Sequence, residues 1–315
     1  MNNLKKVGLT ALAGALVSVS ANAADLSVTG GVSLNFAGEE KQTTGNGWSM
    51  NDGITFKASG ELDNGWAVTA TQIIDSSDGV ANTIMDTRIL AIDMGDSGTL
   101  TFSGTGGSSV LDAIDDVTPT AGEESWDDVT GADAIPGGTG GDNMFHYSNS
   151  SLMDGMTISA SYTPSDGTAQ VESSSDYGIK YTGIDGLTVG LAAGTDDTDP
   201  TATVDTTNMY VTYAMDAFTV GYQASEDDSE ATNADLDFTA LGLSYAVSEE
   251  MSVSVNTSTI DYENATLSDQ EATGISVSYV MGSMTLKANH NSVDNIAGAS
   301  TDDRSGYALG LTFAF

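Results

Sequence analysis

The residues of this chain that could carry chemistry are mostly carboxylates. The sequence holds 45 Asp and Glu against eight Lys and Arg, two histidines and no cysteine. Without cysteine, neither a disulfide framework nor a thiolate metal site can form. A Ser–His–Asp triad on His146 or His290 is weakly supported, because no Gly-x-Ser-x-Gly elbow occurs. The sequence therefore argues against an enzyme, and its acidity excludes a nucleic-acid binder, which needs a basic surface.

Short acidic runs offer a second kind of chemistry, since Ca²⁺ and Mg²⁺ prefer oxygen ligands. None of the runs has the D-x-[DN]-x-[DN]-G spacing of a dedicated calcium loop. Divalent-cation sites and plain solvated surface charge both remain open at this point. The weak metal candidates are Asp196, Asp197, Asp199, Glu226, Asp227 and Asp228, with Asp302 and Asp303 as a further pair.

The segment 105–142 is the largest acidic stretch of the chain. It has 38 residues with nine acids and no Lys or Arg. Loops longer than about 12–15 residues are usually functional or disordered. An apolar minority predicts that this one packs against something: Val110, Leu111, Ile114, Trp126 and Ile135.

Alternating strands are the elements that must position these groups. In the last segment, Tyr307, Leu309, Leu311, Phe313 and Phe315 alternate with small or hydroxylated residues, which is the two-residue period of a strand. Sixteen such segments can be read: 25–37, 50–61, 66–74, 87–94, 99–104, 143–149, 156–163, 176–182, 187–194, 207–213, 218–225, 235–246, 251–258, 272–281, 284–290 and 304–315. Within 235–246, a change of parity between Phe238 and Leu241 predicts a β-bulge.

The connections between these strands alternate between short turns and long acidic loops. All four prolines fall in the long set, as expected because proline cannot donate to a sheet ladder. An even strand number with loops sorted by length is typical of a transmembrane antiparallel β-barrel, whereas a soluble β-sandwich does not sort its loops. In a barrel the last strand pairs with the first, which removes the exposed edge.

Residues 1–23 read as a secretory signal. Lys5 and Lys6 form a basic start, Val7–Val19 is apolar, and Ala21-Asn22-Ala23 is a small-x-small cleavage site. A retained N-terminal anchor is the less favoured alternative, because the apolar run is short for a spanning helix. We therefore expect one barrel domain, 24–315, that keeps six bases against all 45 acids.

The whole pattern resembles the general porins of Gram-negative bacteria. The resemblance rests on the terminal Phe315, the sixteen strands, the oversized third long loop, and two local runs, 87–102 and 141–162. It implies a trimeric, water-filled barrel in the outer membrane, with the third extracellular loop folded into the lumen. Divalent bridges between loop acids and lipopolysaccharide phosphates would suit that location.

The resemblance also implies which residues narrow the channel. The constriction acids would be Asp112, Asp115, Asp116, Glu123 and Glu124, and some of the loop's nine acids would only solvate it. Parity puts Lys57, Lys180, Lys287 and His146 on the polar, lumenal face of the pore wall. Arg88 shares parity with apolar neighbours and is assigned to the lumen by resemblance alone, with Ile89 and Ala91 then facing outward. Ser148 stands where the family often has arginine.

Fixed carboxylates concentrate small cations and exclude anions. The expected function is therefore passive, cation-preferring diffusion of small hydrophilic solutes by a homotrimer, without a cofactor. A secreted acidic β-rich adhesin or surface-layer protein is the alternative, because low Lys and high Asp suit salty surroundings. Aromatic residues at strand ends would form interfacial girdles: Trp66, Tyr162, Tyr177, Tyr213, Phe218, Tyr245, Tyr279 and Phe315.

Overall fold

The computed structural model describes residues 25–41, 45–75, 85–133, 141–165, 167, 172–197 and 202–315. The expected signal sequence, 1–23, lies outside these residues, as do Ile135 and Asp199. Within the described ranges, no helix is long and apolar enough to cross a membrane.

Sixteen antiparallel strands form one closed barrel in which each strand pairs with its neighbours in sequence. The strands are β1 Asp25–Glu39, β2 Trp48–Glu61, β3 Ala67–Asp75, β4 Met85–Asp93, β5 Thr99–Thr105, β6 Met144–Met153, β7 Met156–Thr163, β8 Ser174–Ile184, β9 Leu187–Asp196, β10 Val204–Met215, β11 Phe218–Ser229, β12 Leu236–Ala246, β13 Met251–Tyr262, β14 Gln270–Met281, β15 Met284–Asp294 and β16 Arg304–Ala314. The predicted fold class and strand number are confirmed.

The barrel closes where the sequence predicted. β16 pairs with β1 from Gly31 opposite Ala314 to Glu39 opposite Gly306. Phe315 extends this seam, because its N–H donates to the Gly30 carbonyl at 2.9 Å and its own carbonyl accepts from Gly30 at 2.7 Å. The last strand therefore leaves no open edge.

The two faces of the wall differ as alternation requires. The outer face carries large apolar side chains that remain exposed, among them Leu309 on β16, Leu243 on β12 and Leu191 on β9. All eight aromatic residues expected in girdles are exposed, between 38% and 75%. The inner face carries hydroxyl, amide and charged side chains, and several of the polar ones are buried.

Several strands are longer than their apolar pattern predicted. β15 continues to Asp294 and β13 to Tyr262, whereas the apolar alternation suggested ends near 290 and 258. The added residues are mostly polar, so hydropathy gave no signal there. Backbone pairing holds them in the ladder beyond the apolar belt.

The bulge expected in β12 does not exist. Its pairing with β11 and β13 runs without a register shift from Leu236 to Ala246. Leu241 faces outward, while Phe238 faces inward and is 1% exposed. The parity change therefore reflects an apolar side chain turned to an apolar partner inside the barrel.

Arg88 was expected to face the lumen, but the strand register places it on the outer face of the barrel. β3 pairs it with Gln72, which in turn lies opposite outward-facing Phe56. A register shift in β5 leaves Gly104 beside the Arg88 guanidinium, since a Cβ on Gly104 would lie 3.5 Å from Arg88 Nη2. Ile89 consequently faces inward. The resemblance predicted the opposite, because it ignored the parity that Arg88 shares with Leu90.

Candidate functional site

The segment 105–142 is here called the inner loop, and its described parts, 105–133 and 141–142, lie inside the barrel. Its two ends are joined near β5 and β6, where Gly107 N–H donates to the Gly141 carbonyl and Gly106 N–H to Asp142 Oδ1, both at 3.1 Å. From there the described part of the loop follows the inner face of the wall from β7 to β16. Its course can be traced through its contacts.

The first turn of the inner loop is fixed on β7 to β9. Val110 N–H donates to Ser161 Oγ at 2.8 Å, and Leu111 N–H donates to Asp176 Oδ2 at 3.0 Å. The side chains of Val110 and Leu111 pack on Ala192. This small apolar cluster anchors the 3₁₀ turn Asp112–Ile114.

The middle of the loop crosses β10 to β12. Asn208 Nδ2 donates to the Ile114 carbonyl at 3.0 Å, and Gln223 Nε2 donates to the Asp115 carbonyl at 2.7 Å. Pro119 then lies against Gly221, where a Cβ would collide with Pro119 Cδ. Amides thus satisfy loop carbonyls, and glycine gives the loop room to approach the wall.

The distal part packs on β12 to β15. Trp126 meets Phe238 edge to face, with ring centroids 5.4 Å apart. These rings form one buried cluster with Val129, Ala240, Ile260, Ala272, Val293 and Ile296. Asn291 Nδ2 donates to the carbonyls of Glu124 and Asp127, both at 2.7 Å. An apolar cluster inside the barrel therefore fixes the loop, together with backbone hydrogen bonds.

The loop finally reaches the closing seam. Thr130 Oγ1 donates to Glu39 Oε2 of β1 at 2.7 Å. Arg304 of β16 pairs with Glu39 and, at 2.9 Å, with Asp302. Both Arg304 and the Glu39 side chain are more than nine-tenths buried. Arg304 points inward near the rim, and it joins the seam to the loop through Glu39.

The five acids expected at the constriction have different surroundings. Asp116 is exposed, Asp112, Asp115 and Glu123 are half-buried, and Glu124 is buried at 8% exposure. Asp112 also accepts a hydrogen bond from Ser109 N–H at 2.9 Å. Only some of these carboxylates therefore face open space.

Four of these carboxylates and their neighbours form one electrostatic group. Oxygens of Glu123, Glu124 and Asp127 lie within 4.8 Å of one another. The pKa of Glu124 is raised to about 8, mainly because its carboxyl is buried and further because of the negative charges of Asp116 and Asp127. The pKa of Asp115 is raised to about 6, mainly by burial and further by the negative charge of Asp116. The inner loop therefore loses protons well above the usual carboxyl range, which lies near pH 4.

The lysines predicted for the pore wall lie on the inner face. Lys287 is 3.3 Å from Glu123 Oε1 and also donates to the Gly122 carbonyl at 3.2 Å. Lys57 and Lys180 are exposed on the inner faces of β2 and β8. His146 Nδ1 lies 3.3 Å from the Ser108 carbonyl oxygen. The register excludes Arg88 from this wall.

The weak metal candidates are not gathered into one site. Asp227 faces inward and accepts from Thr206, while Glu226 and Asp228 face outward. Asp196 accepts from Ser174 at 3.0 Å and Asp197 accepts from Thr203 at 2.5 Å. Among the described residues, the carboxylate cluster with metal-like spacing is instead the loop trio Glu123, Glu124 and Asp127.

Sequence reasoning missed the inner-wall side chains that hold the loop. They are Ser161, Asp176, Asn208, Gln223, Ser254, Ser258 and Asn291. Each occupies a buried inward position. Parity was readable for Ser161, Gln223 and Ser254, whose neighbours in sequence are apolar or aromatic, but not for Ser258 and Asn291, whose neighbours are polar. What the sequence did not carry was the identity of the partners, which are main-chain atoms and hydroxyls of the loop.

A family model described as Gram-negative porin matches residues 8–266. The chain belongs to the Gram-negative porin family. Among curated proteins, none matches this porin. It is an outer-membrane barrel with the described part of the inner loop packed on its inner wall.

Solved structures give the porin the same fold at low sequence identity. An anion-selective porin from Comamonas acidovorans has a TM-score of 0.74 and 13% identity, over 93% of this chain and all of that one. A loop L8 deletion mutant of OmpT from Vibrio cholerae has a TM-score of 0.73 and 15% identity over the same shares. The trimer form of in-vitro folded OmpT from Vibrio cholerae has a TM-score of 0.70 and 13% identity, over 93% of this chain and all of that one.

The Lys287–Glu123 pair gives a first prediction for this porin. Both side chains are nearly half exposed, so Lys287→Gln should change stability by less than about 1 kcal/mol. It removes a positive charge beside the loop acids, so the permeability to K⁺ relative to Cl⁻ should rise. Reversal potentials in a KCl gradient measure this, with Lys41→Gln at the exposed rim as control. A shift toward chloride would contradict the placement of Lys287 in the ion path.

A second prediction concerns the end of the described loop. Tyr262 Oη donates to Asp133 Oδ2 at 2.6 Å, and Gln270 Nε2 donates to the Asp133 carbonyl at 2.8 Å. Tyr262→Phe should cost about 1–2 kcal/mol, because the carboxylate loses a donor in a partly buried site. Denaturant unfolding in detergent micelles measures the loss. Tyr213→Phe on the outer face is the control, and an equal effect of both changes would refute the assignment.

Proposed function

We propose that this porin forms a cation-preferring channel for passive diffusion of small hydrophilic solutes. The observation that carries the proposal is the carboxylate group of the inner loop, where Asp116, Glu123, Glu124 and Asp127 lie together. Beside it, the ammonium of Lys287 lies 3.3 Å from Glu123 Oε1. A passage lined by an excess of carboxylates concentrates cations and repels anions. No chemical step and no energy source is required.

The inner faces of β1 and β2, across the lumen from most of the loop contacts, support an open path for solutes. Ser27 and Thr29 on β1 and Lys57 on β2 face inward and remain exposed. The described loop instead contacts mainly β7 to β16, and on β1 it reaches Glu39, the last residue of that strand, through Thr130. Solutes would pass between the loop acids and this polar wall. The Comamonas porin shares the fold and is anion-selective, so fold alone does not decide selectivity and the fixed charges must.

Swelling of liposomes tests the proposal with solutes of similar size. Lysine, glutamine and glutamate carry net charges of plus one, zero and minus one near neutral pH. The proposal expects swelling rates in that order, with differences that shrink in high salt because charges are screened within about 10 Å at 0.1 M. If glutamate enters as fast as lysine, the proposed cation preference is refuted but the proposed channel is not. If no solute causes swelling, the proposed channel is refuted as well.

We further propose that the porin works as a homotrimer after cleavage of residues 1–23. The trimer form of OmpT supports the assembly by analogy, and outward-facing Arg88 supports a protein contact. An arginine facing lipid at the membrane midplane costs about 2–4 kcal/mol, which a neighbouring subunit would relieve. Electrophoresis should show a heat-modifiable oligomer, and N-terminal sequencing should begin at Ala24. A monomer in mild detergent would contradict the trimer.

A secreted acidic adhesin or surface-layer protein was the alternative from sequence. Membership of the porin family favours the channel. Extraction separates them, because a porin stays with the detergent-insoluble envelope whereas an adhesin is released by salt or chelator.

A further inference from the structure

The tripeptide Asn-Gly-Trp occurs twice in the chain, as Asn46-Gly47-Trp48 and as Asn64-Gly65-Trp66. The first asparagine lies in the connection between β1 and β2, and the second lies in the turn between β2 and β3. Both asparagine side chains are exposed. Because glycine has no Cβ, no side chain stands between the glycine nitrogen and the asparagine before it. The two copies therefore offer the same local chemistry in two different settings.

The side-chain carbonyl of each asparagine is polarised by a hydrogen bond. Trp48 N–H donates to Asn46 Oδ1 at 2.8 Å, and Trp66 N–H donates to Asn64 Oδ1 at 3.2 Å. The ring that this hydrogen bond closes contains the glycine nitrogen and keeps it close to the asparagine Cγ. A nucleophile that attacks Cγ builds negative charge on Oδ1, and an N–H donor fixed there stabilises that charge. Both asparagines are thus prepared for attack at Cγ.

The glycine nitrogens distinguish the two copies. Gly65 N–H donates to the Leu62 carbonyl at 2.8 Å, inside a hairpin that Leu62 N–H closes on the Trp66 carbonyl at 2.8 Å. Gly47 N–H has no acceptor among the residues that the structure describes, and its carbonyl accepts from Ala37 N–H at 2.9 Å. A nitrogen that must first give up a hydrogen bond attacks more slowly. The nitrogen of Gly47 is therefore the better nucleophile.

We propose that Asn46 converts spontaneously to a carboxylate, which adds a fixed negative charge to the mouth of the channel. The Gly47 nitrogen gives its proton to hydroxide and attacks Asn46 Cγ, and the side-chain nitrogen leaves as ammonia, so that a five-membered succinimide forms. Water then opens either carbonyl of the ring and gives aspartate or isoaspartate. In sum, one water is consumed and one ammonia is released, and no electron is transferred.

Position 46 is a place where a new charge would affect ions. Asn46 lines a recess of about 540 Å³ together with Glu39, Ser49, Asp128 and Thr130. The recess lies on the lumenal side near the rim, because Glu39 ends β1 and the last two residues belong to the inner loop. A carboxylate there raises the local concentration of cations at low ionic strength. This consequence rests on the proposed cation-preferring channel, whereas the conversion itself does not.

Peptide mapping by mass spectrometry tests the conversion on the full porin, incubated in detergent and mildly alkaline water labelled with heavy oxygen. Asn46 should exchange its amide for a carboxyl about tenfold faster than Asn64, the factor that one backbone hydrogen bond supplies. Both aspartate and isoaspartate should form with label from the solvent, and they should form faster at higher pH. Equal rates at the two asparagines, or aspartate without isoaspartate, overturns the proposal.

Asn46→Gln is the matched variant, because its longer side chain would have to close a six-membered ring and should remain largely unconverted. The zero-current potential across a KCl gradient then reports the consequence. Incubated wild type and fresh Asn46→Asp should both shift toward K⁺ relative to fresh wild type, whereas incubated Asn46→Gln should not. An unchanged potential in Asn46→Asp would overturn the role of position 46 in the mouth.

The two measurements keep this proposal apart from the proposed function. If fresh wild type prefers Cl⁻, the cation preference is refuted, and the peptide map still decides the conversion. If fresh wild type prefers K⁺ but Asn46 stays intact on incubation, the conversion alone is refuted.

Discussion

Replacing Phe238 by alanine is expected to cost about 3–5 kcal/mol and to loosen the inner loop, because removal of a buried aromatic ring leaves a cavity. Phe238 is 1% exposed and packs edge to face on Trp126. The wall around it is held by β-ladder hydrogen bonds on both sides of β12. The barrel should therefore stay closed while the loop loses its main apolar contact.

Single-channel recording in a planar bilayer reports the loop directly. Phe238→Ala should give larger and noisier conductance than wild type, and denaturant unfolding in micelles should report the lost stability. Leu241→Ala is the matched control, because Leu241 lies on the same strand but faces outward at 50% exposure. Wild-type conductance with a quiet baseline in Phe238→Ala would show that the apolar cluster does not hold the loop.

The second large effect is a cation preference that keeps rising between pH 5 and 9. Burial and neighbouring acids raise the pKa of Asp115 to about 6 and that of Glu124 to about 8. Carboxyls with ordinary pKa values near 4 would be fully charged by pH 6 and give a flat profile above it. Here the loop gains negative charge through the alkaline range as well.

Glu124→Gln should remove the alkaline part of this rise. The reversal potential at pH 5, 7 and 9 measures it. Glu249→Gln, in the turn between β12 and β13, is the control. A wild-type profile that is flat between pH 7 and 9, or a rise that survives Glu124→Gln, would contradict the assignment.

The raised pKa of Glu124 also determines the direction in which the folding stability changes with pH. Because the pKa of Glu124 is higher in the folded protein than its usual 4.5, ionisation favours the unfolded chain. Stability should fall as the pH rises from about 4.5 to 8, since the unfolded chain binds fewer protons there. Glu124→Gln should flatten that part of the unfolding profile.

The sequence predicted the barrel because strand alternation is a local signal. Every expected strand is present, and the inward parity of Lys57, Lys180 and Lys287 agrees with the register. β15 was predicted too short because its last residues are polar, so only the pairing with β14 reveals them.

The errors arose where the decisive partner is distant in sequence. Phe238 suggested a bulge because its partner, Trp126, lies 112 positions earlier on the inner loop. The role of Gln223 in holding the loop could not be predicted from sequence, because its side chain donates to the main-chain carbonyl of Asp115, which any residue type would offer. Arg88 was assigned against its own parity. Local pattern thus predicts the wall, while the path of the loop depends on contacts that no short pattern encodes.

The central claim is that the fixed carboxylates of the inner loop make this porin prefer cations. The most direct measurement is the zero-current potential of the reconstituted porin across a tenfold KCl gradient at low ionic strength. The account predicts a potential of the sign set by K⁺ permeation, decreasing as salt rises and screening shortens. A potential of the opposite sign, set by Cl⁻, would contradict it.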